Sequence, residues 1–323
     1  MIDLDDKMIL APLAGYSDLV FRTLARRGGA DITVTEMVSI KGVIHGQAKT
    51  FGFMESDGTD RPLGIQLFGN EPGLFGEAAA IIAEKCAPDF IDVNCGCPVR
   101  KVLKQNSGSW LLQEPKRVGS IVRALKSAVS VPISVKIRLG FSNEEKNYLD
   151  VCLRAEENGV DFISVHGRTR SELYSGPVDY EAIAKIRKAL KVPVVGNGGV
   201  CDLETYRRMK ETGCDSVMIG QAAMGQPWIF NEIRSDLAGR PLRNSFSEKI
   251  SIFREHVGLM MARKGDQEGL RQSRSLAMHY IRRIFRGQQG KKELMKEYFS
   301  LVTADQADDF FRRLSRSREE EPG

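Results

Sequence analysis

The sequence predicts an α/β protein: a (β/α)8 TIM barrel followed by a small, all-helical C-terminal domain. Three observations carry this expectation. Eight short apolar runs are spread over the first 220 residues, helix-patterned segments separate them, and the strand signal stops after Gly239 and Pro241. The expected boundaries are therefore a barrel over 1–240 and a helical domain over 241–323.

The runs are MILAPL (8–13), ITVTEM (32–37), LGIQLF (63–68), FIDVN (90–94), ISVKIRL (133–139), FISVH (162–166), VPVVGN (192–197) and SVMIG (216–220). Each is nearly continuous in apolar character, as parallel strands buried on both faces require. Between them, segments such as EPGLFGEAAAIIAEKCA and DYEAIAKIRKAL carry helical apolar spacing, with Lys or Arg toward their ends. Four of the strand entries repeat one build: GADITVTE, APDFIDVN, GVDFISVH and GCDSVMIG. Five residues beyond each aspartate (Asp31, Asp89, Asp161, Asp215) stand Glu36, Asn94, His166 and Gly220. A barrel puts its chemistry at the C-terminal ends of its strands, where these residues fall. Alternation alone also suits a doubly wound sheet; eight units with repeated entries favour closure.

After residue 240, SEKISIFREHVGLMMARKG, QSRSLAMHYIRRIFRG and KKELMKEYFSLVTADQADDFFRRLSR read as three or four helices, and the terminal SREEEPG is expected to fray. Tyr280, Phe285, Tyr298, Phe299, Phe310 and Phe311 read as the core of that bundle rather than as stacking platforms for bases.

The charge is unevenly placed. Residues 1–240 hold 30 Lys/Arg against 30 Asp/Glu, and residues 241–323 hold 17 against 12, the whole of the net +5. A balanced body with a basic tail suggests an anionic macromolecular partner for the tail, with Arg282, Arg283 and Arg286 as phosphate contacts. A solvated helical face explains the charge equally well. No run of 18 apolar residues argues for a membrane-spanning helix. The N-terminus has no basic leader before an apolar stretch, so no signal peptide is expected. Six scattered cysteines form no disulfide framework, which favours reduced thiols and a cytoplasmic setting.

The stretch DVNCGCPVRK (92–101) places Cys95 and Cys97 about a glycine, just beyond a strand. A zinc site needs further Cys or His at ligand spacing, and none is present; no metal is expected. A disulfide between the two would close a strained ring. What is left open is a thiol that packs or a thiol that reacts. The glycine loops GNGGV (196–200) and GQAAMGQPW (220–228) follow the seventh and eighth strands, where barrels commonly bind phosphate, and the second leads into a helix. Lys136 and Arg138 share one face of the fifth strand. Such a cationic pair is costly to bury without an anion, either a ligand or an ion pair with Glu36 or Asp92. His166 ends the sixth strand, and Gln66 is polar within an apolar run.

Together with APLAGYSDLVFR (11–22), TEMVS (35–39), IQLFG (65–69), SGSWLL (107–112), VKIRLG (135–140), VHGRTR (165–170) and MIGQAAMGQPWIF (218–230), these stretches resemble the tRNA-dihydrouridine synthase family, in bacterial form. The resemblance implies FMN-dependent reduction of a uridine in tRNA with NADPH as reductant. Hydride passes from flavin N5 to uracil C6, and a proton passes to C5 from Cys97, the general-acid position. Ala11, Pro12 and Leu13 would run under the flavin. Gln66 would meet its pyrimidine edge and Lys136 its N1/O2 region, with His166 also in contact. Asn197, Gly198, Gly199, Gly220 and Gln221 would surround its phosphate, and Asn94 and Arg138 would contact uracil. Cys95, Gln221, Gln226 and Met278 depart from the family pattern. The rivals are a flavin barrel reducing a free pyrimidine or another small conjugated substrate, and a non-catalytic RNA-binding paralogue.

Overall fold

The computed structural model describes residues 2–316; the segment SREEEPG expected to fray lies outside the described residues. The chain divides into two compact units, one ending at Gln221 and one beginning at Ala222.

The first unit is a closed ring of eight parallel strands: β1 (Met8–Leu10), β2 (Ile32–Val34), β3 (Leu63–Phe68), β4 (Phe90–Cys95), β5 (Ile133–Arg138), β6 (Phe162–His166), β7 (Val194–Asn197) and β8 (Ser216–Ile219). β8 returns to β1 through Met8↔Val217, and β2 meets β3 through Thr33↔Leu63. A two-residue strand, Val38–Ser39, lies beside the end of β3. The expected α/β barrel is therefore the observed fold.

Alternation along each strand sends every second side chain inward. At the N-terminal end of the barrel the inward residues are apolar: Ile9, Ile32, Val34, Phe90, Phe162, Val195 and Met218 form one buried cluster with Leu4 and Ala11. Phe90 and Phe162 meet at 5.2 Å between centroids. Further along the same strands the inward positions turn polar, with Gln66 paired in register to Asp92, Asn94 to Lys136, Arg138 to His166 and His166 to Asn197. An apolar floor thus supports a polar mouth.

The repeated aspartates hold the floor together. The backbone N–H groups of Met8, Leu63, Ile133 and Val194, each the first residue of an odd-numbered strand, donate to Asp31, Asp89, Asp161 and Asp215 at 2.6–2.8 Å. Each aspartate N–H donates back to the carbonyl of the same residue at 2.7–3.0 Å. Strands are stapled in pairs, β1 with β2, β3 with β4, β5 with β6 and β7 with β8. Basic side chains also reach these carboxylates, as Arg61 does on Asp89, Lys126 on Asp161 and Arg187 on Asp215. The sequence echo is a structural repeat that leaves the opposite strand ends open for chemistry.

The second unit contains helices Ile229–Leu237, Phe246–Lys264, Asp266–Ile284, Lys291–Ser300 and Ala304–Arg316. Ser245 and Glu248 cap the second of these reciprocally. Its centre is aromatic: Phe253 stacks on Tyr280 at 4.6 Å and stands edge-on to Phe311 at 4.9 Å. Tyr280, Phe285, Tyr298, Phe310 and Phe311 are core, as their spacing suggests, whereas Phe299 reaches the surface. Among the described residues no helix is long and apolar enough to cross a membrane.

Candidate active site

The polar mouth is built from amides, a lysine, an arginine and a thiol. Gln66 lies within an apolar run on β3 and is buried. Its Nε2 donates to Asp92 Oδ2 at 2.6 Å, and its Oε1 accepts from Asn94 Nδ2 at 2.7 Å. Asn94 Oδ1 accepts from the backbone N–H groups of Gly96 and Cys97 at 3.1 and 2.9 Å. On the other side of Cys97, its carbonyl accepts from Ser109 N and Oγ at 3.1 and 3.0 Å. Gly108 permits this closeness: at φ +65° it is left-handed, and a Cβ there would sit 2.8 Å from Cys97 O. The thiol-bearing residue is therefore pinned on both flanks.

The two cysteines separate cleanly. The sequence places both just beyond the strand, but Cys95 is the last residue of β4 and fully buried, on the face opposite Asn94. It packs in the shell between strands and helices. Cys97 is half-buried in the loop. Burial raises its thiol pKa, while the Val99 N–H and the charges of Arg138 and Lys136 pull it back down. Near neutrality Cys97 is a protonated thiol with cations beside it.

Lys136 and Arg138 do share one face of β5, and each has defined partners. Lys136 Nζ donates to Asn197 Oδ1 at 2.9 Å, and Asn197 Nδ2 donates to Met218 O at 2.8 Å. Burial and the neighbouring Arg138 lower the Lys136 pKa, against the opposing pull of Asp92. Arg138 is engaged by carbonyls: Nε with Gly96 at 3.0 Å, Nη1 with Thr169 at 2.8 Å and Leu173 at 2.7 Å. It joins the thiol loop to the loop that follows β6. Tyr174 of that loop, about half exposed, lies over the Arg138 guanidinium at 5.3 Å and edge-on to His166 at 6.4 Å. Nothing in the sequence singles out Tyr174, because it sits eight residues past the strand end in an irregular loop.

His166 is buried, and its Nδ1 meets no partner among the described residues. Burial and the charges of Lys136, Arg138 and Arg168 hold its pKa well below 6.5, so the imidazole is neutral. Gly198 and Gly199 follow β7 at φ +121° and +72°, and a Cβ on Gly198 would lie 3.4 Å from the His166 ring. Gly220 follows β8 beside Ala11 and Leu13, whose loop after β1 is held by Ser17 Oγ accepting from Leu13 N at 3.0 Å. Gln221 opens a single 3-10 turn, Gln221–Ala223, and the segment that ends at Trp228 leads into the helix Ile229–Leu237, as the sequence suggests.

The first unit thus brings Ala11, Pro12, Leu13, Gln66, Asn94, Cys97, Lys136, Arg138, His166, Asn197, Gly198, Gly199, Gly220 and Gln221 to its strand C-terminal end. Arg282, Arg283 and Arg286 lie in the second unit. Arg282 and Arg286 are exposed, whereas Arg283 donates to Met224 O at 3.0 Å and Gln226 Oε1 at 3.1 Å. Among the described residues no three His, Cys, Asp or Glu side chains gather as a metal site.

The donor set fits a flavin. An ammonium, an amide and a neutral imidazole with an orphaned nitrogen gather at one end of the barrel, and the left-handed Gly198 and Gly199 leave room beside them for a phosphate to approach the backbone.

A closed parallel barrel with its titratable side chains gathered at the strand C-terminal ends is a barrel enzyme. Residues 9–316 match the family model described as dihydrouridine synthase, and the chain belongs to that family. It is 37% identical over 305 residues to tRNA-dihydrouridine synthase B of Pseudomonas aeruginosa, covering 94% of this chain and 90% of the relative. It is 34% identical over 321 residues to a probable tRNA-dihydrouridine synthase of Aquifex aeolicus, covering 98% and 97%. The solved structure of TcOYE with pHBA shares the barrel at a TM-score of 0.53 and 13% identity, over 74% of this chain and 90% of that one.

Proposed function

We propose that this protein reduces a specific uridine of tRNA to 5,6-dihydrouridine, with bound FMN and with NADPH as the source of electrons. Support comes from near-full-length similarity to proteins named for that reaction. The observation that carries the mechanism is the Cys97 thiol, protonated and pinned at the barrel mouth beside Lys136 and Arg138.

Gln66, Lys136 and His166 would hold the isoalloxazine edge, Ala11, Pro12 and Leu13 its face, and Asn197, Gly198, Gly199, Gly220 and Gln221 its phosphate. Bound FMN supplies the hydride that adds to uracil C6. The chain's own part is the other half of the reduction. As negative charge gathers on C5 and the C4 carbonyl, the Cys97 S–H releases its proton to C5. A thiol suits this task, since its ordinary pKa of about 8.5 keeps it protonated near neutrality yet acidic enough to react. Burial that favours the neutral thiol preserves the donor, and the nearby cations stabilise the thiolate left behind. Solvent then returns the proton to sulfur. Asn94, anchored to the thiol loop, and Arg138, anchored to two loops, would position the ring. A stacked base cannot enter a barrel mouth, so the uridine must be extruded. The exposed Arg282 and Arg286 suit backbone phosphates.

The test is conversion of unmodified tRNA by the purified protein with FMN and NADPH, read as a gain of two hydrogens at one uridine by mass spectrometry. Reduction of free uridine with tRNA untouched would favour the small-substrate rival. Tight RNA binding without flavin uptake would favour the non-catalytic one.

A further inference from the structure

Asp92 stands on β4 beneath the thiol loop, 2% exposed, and no step above employs it. Its Oδ1 accepts from Ser134 Oγ at 2.6 Å and its Oδ2 from Gln66 Nε2 at 2.6 Å. From there an unbroken series of hydrogen bonds runs through Gln66 Oε1 and Asn94 Nδ2 at 2.7 Å to the Cys97 N–H at 2.9 Å.

The direction of every bond in the series follows from its two ends. Backbone N–H groups only donate, and a carboxylate only accepts. A side-chain amide has one accepting and one donating end, and nothing intrinsic decides which way it turns. Gly96 and Cys97 N–H require Asn94 to face them with oxygen, so its NH2 must face Gln66. Gln66 must then offer oxygen to Asn94 and its own NH2 to the next group, which has to be an acceptor. Asp92 is that acceptor. Take it away and the Gln66 NH2 is buried without this partner. Flip Gln66 to relieve that, and two NH2 groups confront each other.

We propose that Asp92 is a positioning residue: it sets the orientation of the Gln66 and Asn94 amides and, through them, the placement of the Cys97 loop. Burial raises the Asp92 pKa, and Gln66, Ser134 and the charge of Lys136 each pull it back toward the ionised form. The catalytic consequence rests on the reading of Cys97 as proton donor; the placement of the loop does not.

The experiment is a polarity swap in the full-length purified protein, read by the rate at which iodoacetamide alkylates Cys97, resolved from Cys95 by peptide mass. Asp92→Leu strands a buried donor and should change the Cys97 rate about tenfold or more. Gln66→Glu alone sets two carboxylates face to face and should do the same. Adding Asp92→Asn to Gln66→Glu restores the series, because the introduced asparagine donates to the introduced glutamate and still accepts from Ser134. The double variant should return Cys97 to within about threefold of the native rate, a coupling that neighbouring residues show and independent ones do not. A double variant no better than Gln66→Glu overturns the proposal, as does a folded Asp92→Leu with native Cys97 alkylation. Where Asp92→Leu fails to fold, the swap decides alone. In the tRNA assay, Asp92→Leu should lower kcat about 100-fold, with KM for tRNA near native, since a misplacement near 1 Å costs that much. Native kcat with altered alkylation would leave the loop assignment standing and remove Cys97 from the chemistry.

Discussion

Lys136 Nζ and Asn197 Oδ1 are joined at 2.9 Å across β6, whose residues pair with both of their strands. Asn197 Nδ2 is committed to Met218 O, so the amide cannot turn away and the ammonium has a defined station. Lys136→Met should weaken FMN binding about 10- to 100-fold, the range expected for a lost charge-assisted hydrogen bond. Fluorescence titration of flavin into the stripped protein measures it directly; native affinity and native flavin reduction together would remove Lys136 from the cofactor site.

Cys97→Ala is expected to lower dihydrouridine formation about 10²- to 10⁴-fold, the range for a lost general acid. FMN content and NADPH oxidation should persist, because neither needs that proton. Cys95→Ala should leave turnover within a few-fold, since Cys95 faces away from the mouth. Burial and the nearby Asp92 both push its thiol far up, so Cys95 should also resist alkylation at pH 8. Equal losses in the two variants would show that the wrong thiol was chosen.

Stability should fall in mild acid through His166. Its folded pKa lies well below the unfolded 6.5, so below pH 6.5 the unfolded chain takes up a proton that the native state refuses. The contribution is complete above that pH and is lost as pH falls, by at most about 1.4 kcal/mol per unit. His166→Gln should flatten this limb, measured as guanidinium midpoints at pH 7.5 and pH 5.5. A variant that loses as much stability as the native protein over that interval would refute the assignment.

The three arginines of the second unit should not behave alike. Arg282→Ala with Arg286→Ala should raise KM for tRNA and leave the melting temperature unchanged. The slope of log affinity against log salt should shrink by about one for each phosphate that is no longer neutralised. Arg283→Ala should instead lower the melting temperature, because it removes two hydrogen bonds to the Met224–Gln226 segment. The reverse pattern would mean that Arg283 is the phosphate ligand.

Much of this site can be read along the chain because barrel strands end where chemistry begins. Counting from repeated aspartates marks Asn94, His166 and Gly220, and the same count describes how those aspartates staple strand pairs at the opposite end. Tyr174 is invisible in the sequence, since an irregular loop has no period from which a position can be inferred. Arg138 is legible as a buried cation but not as a tie between two loops, because its acceptors are backbone carbonyls 31–42 residues away.

The sequence by itself determined the number and order of the strands, the polar residues at their ends and the helical character after residue 240. These depend on local patterning, which each segment carries within itself. Only the tertiary structure decided that Cys95 turns outward while Cys97 is pinned, that Lys136 answers to Asn197, and that Asp92 heads a directed series of hydrogen bonds. Those facts depend on the register between strands remote in sequence. A donor's partner is set by what the closed barrel brings opposite it.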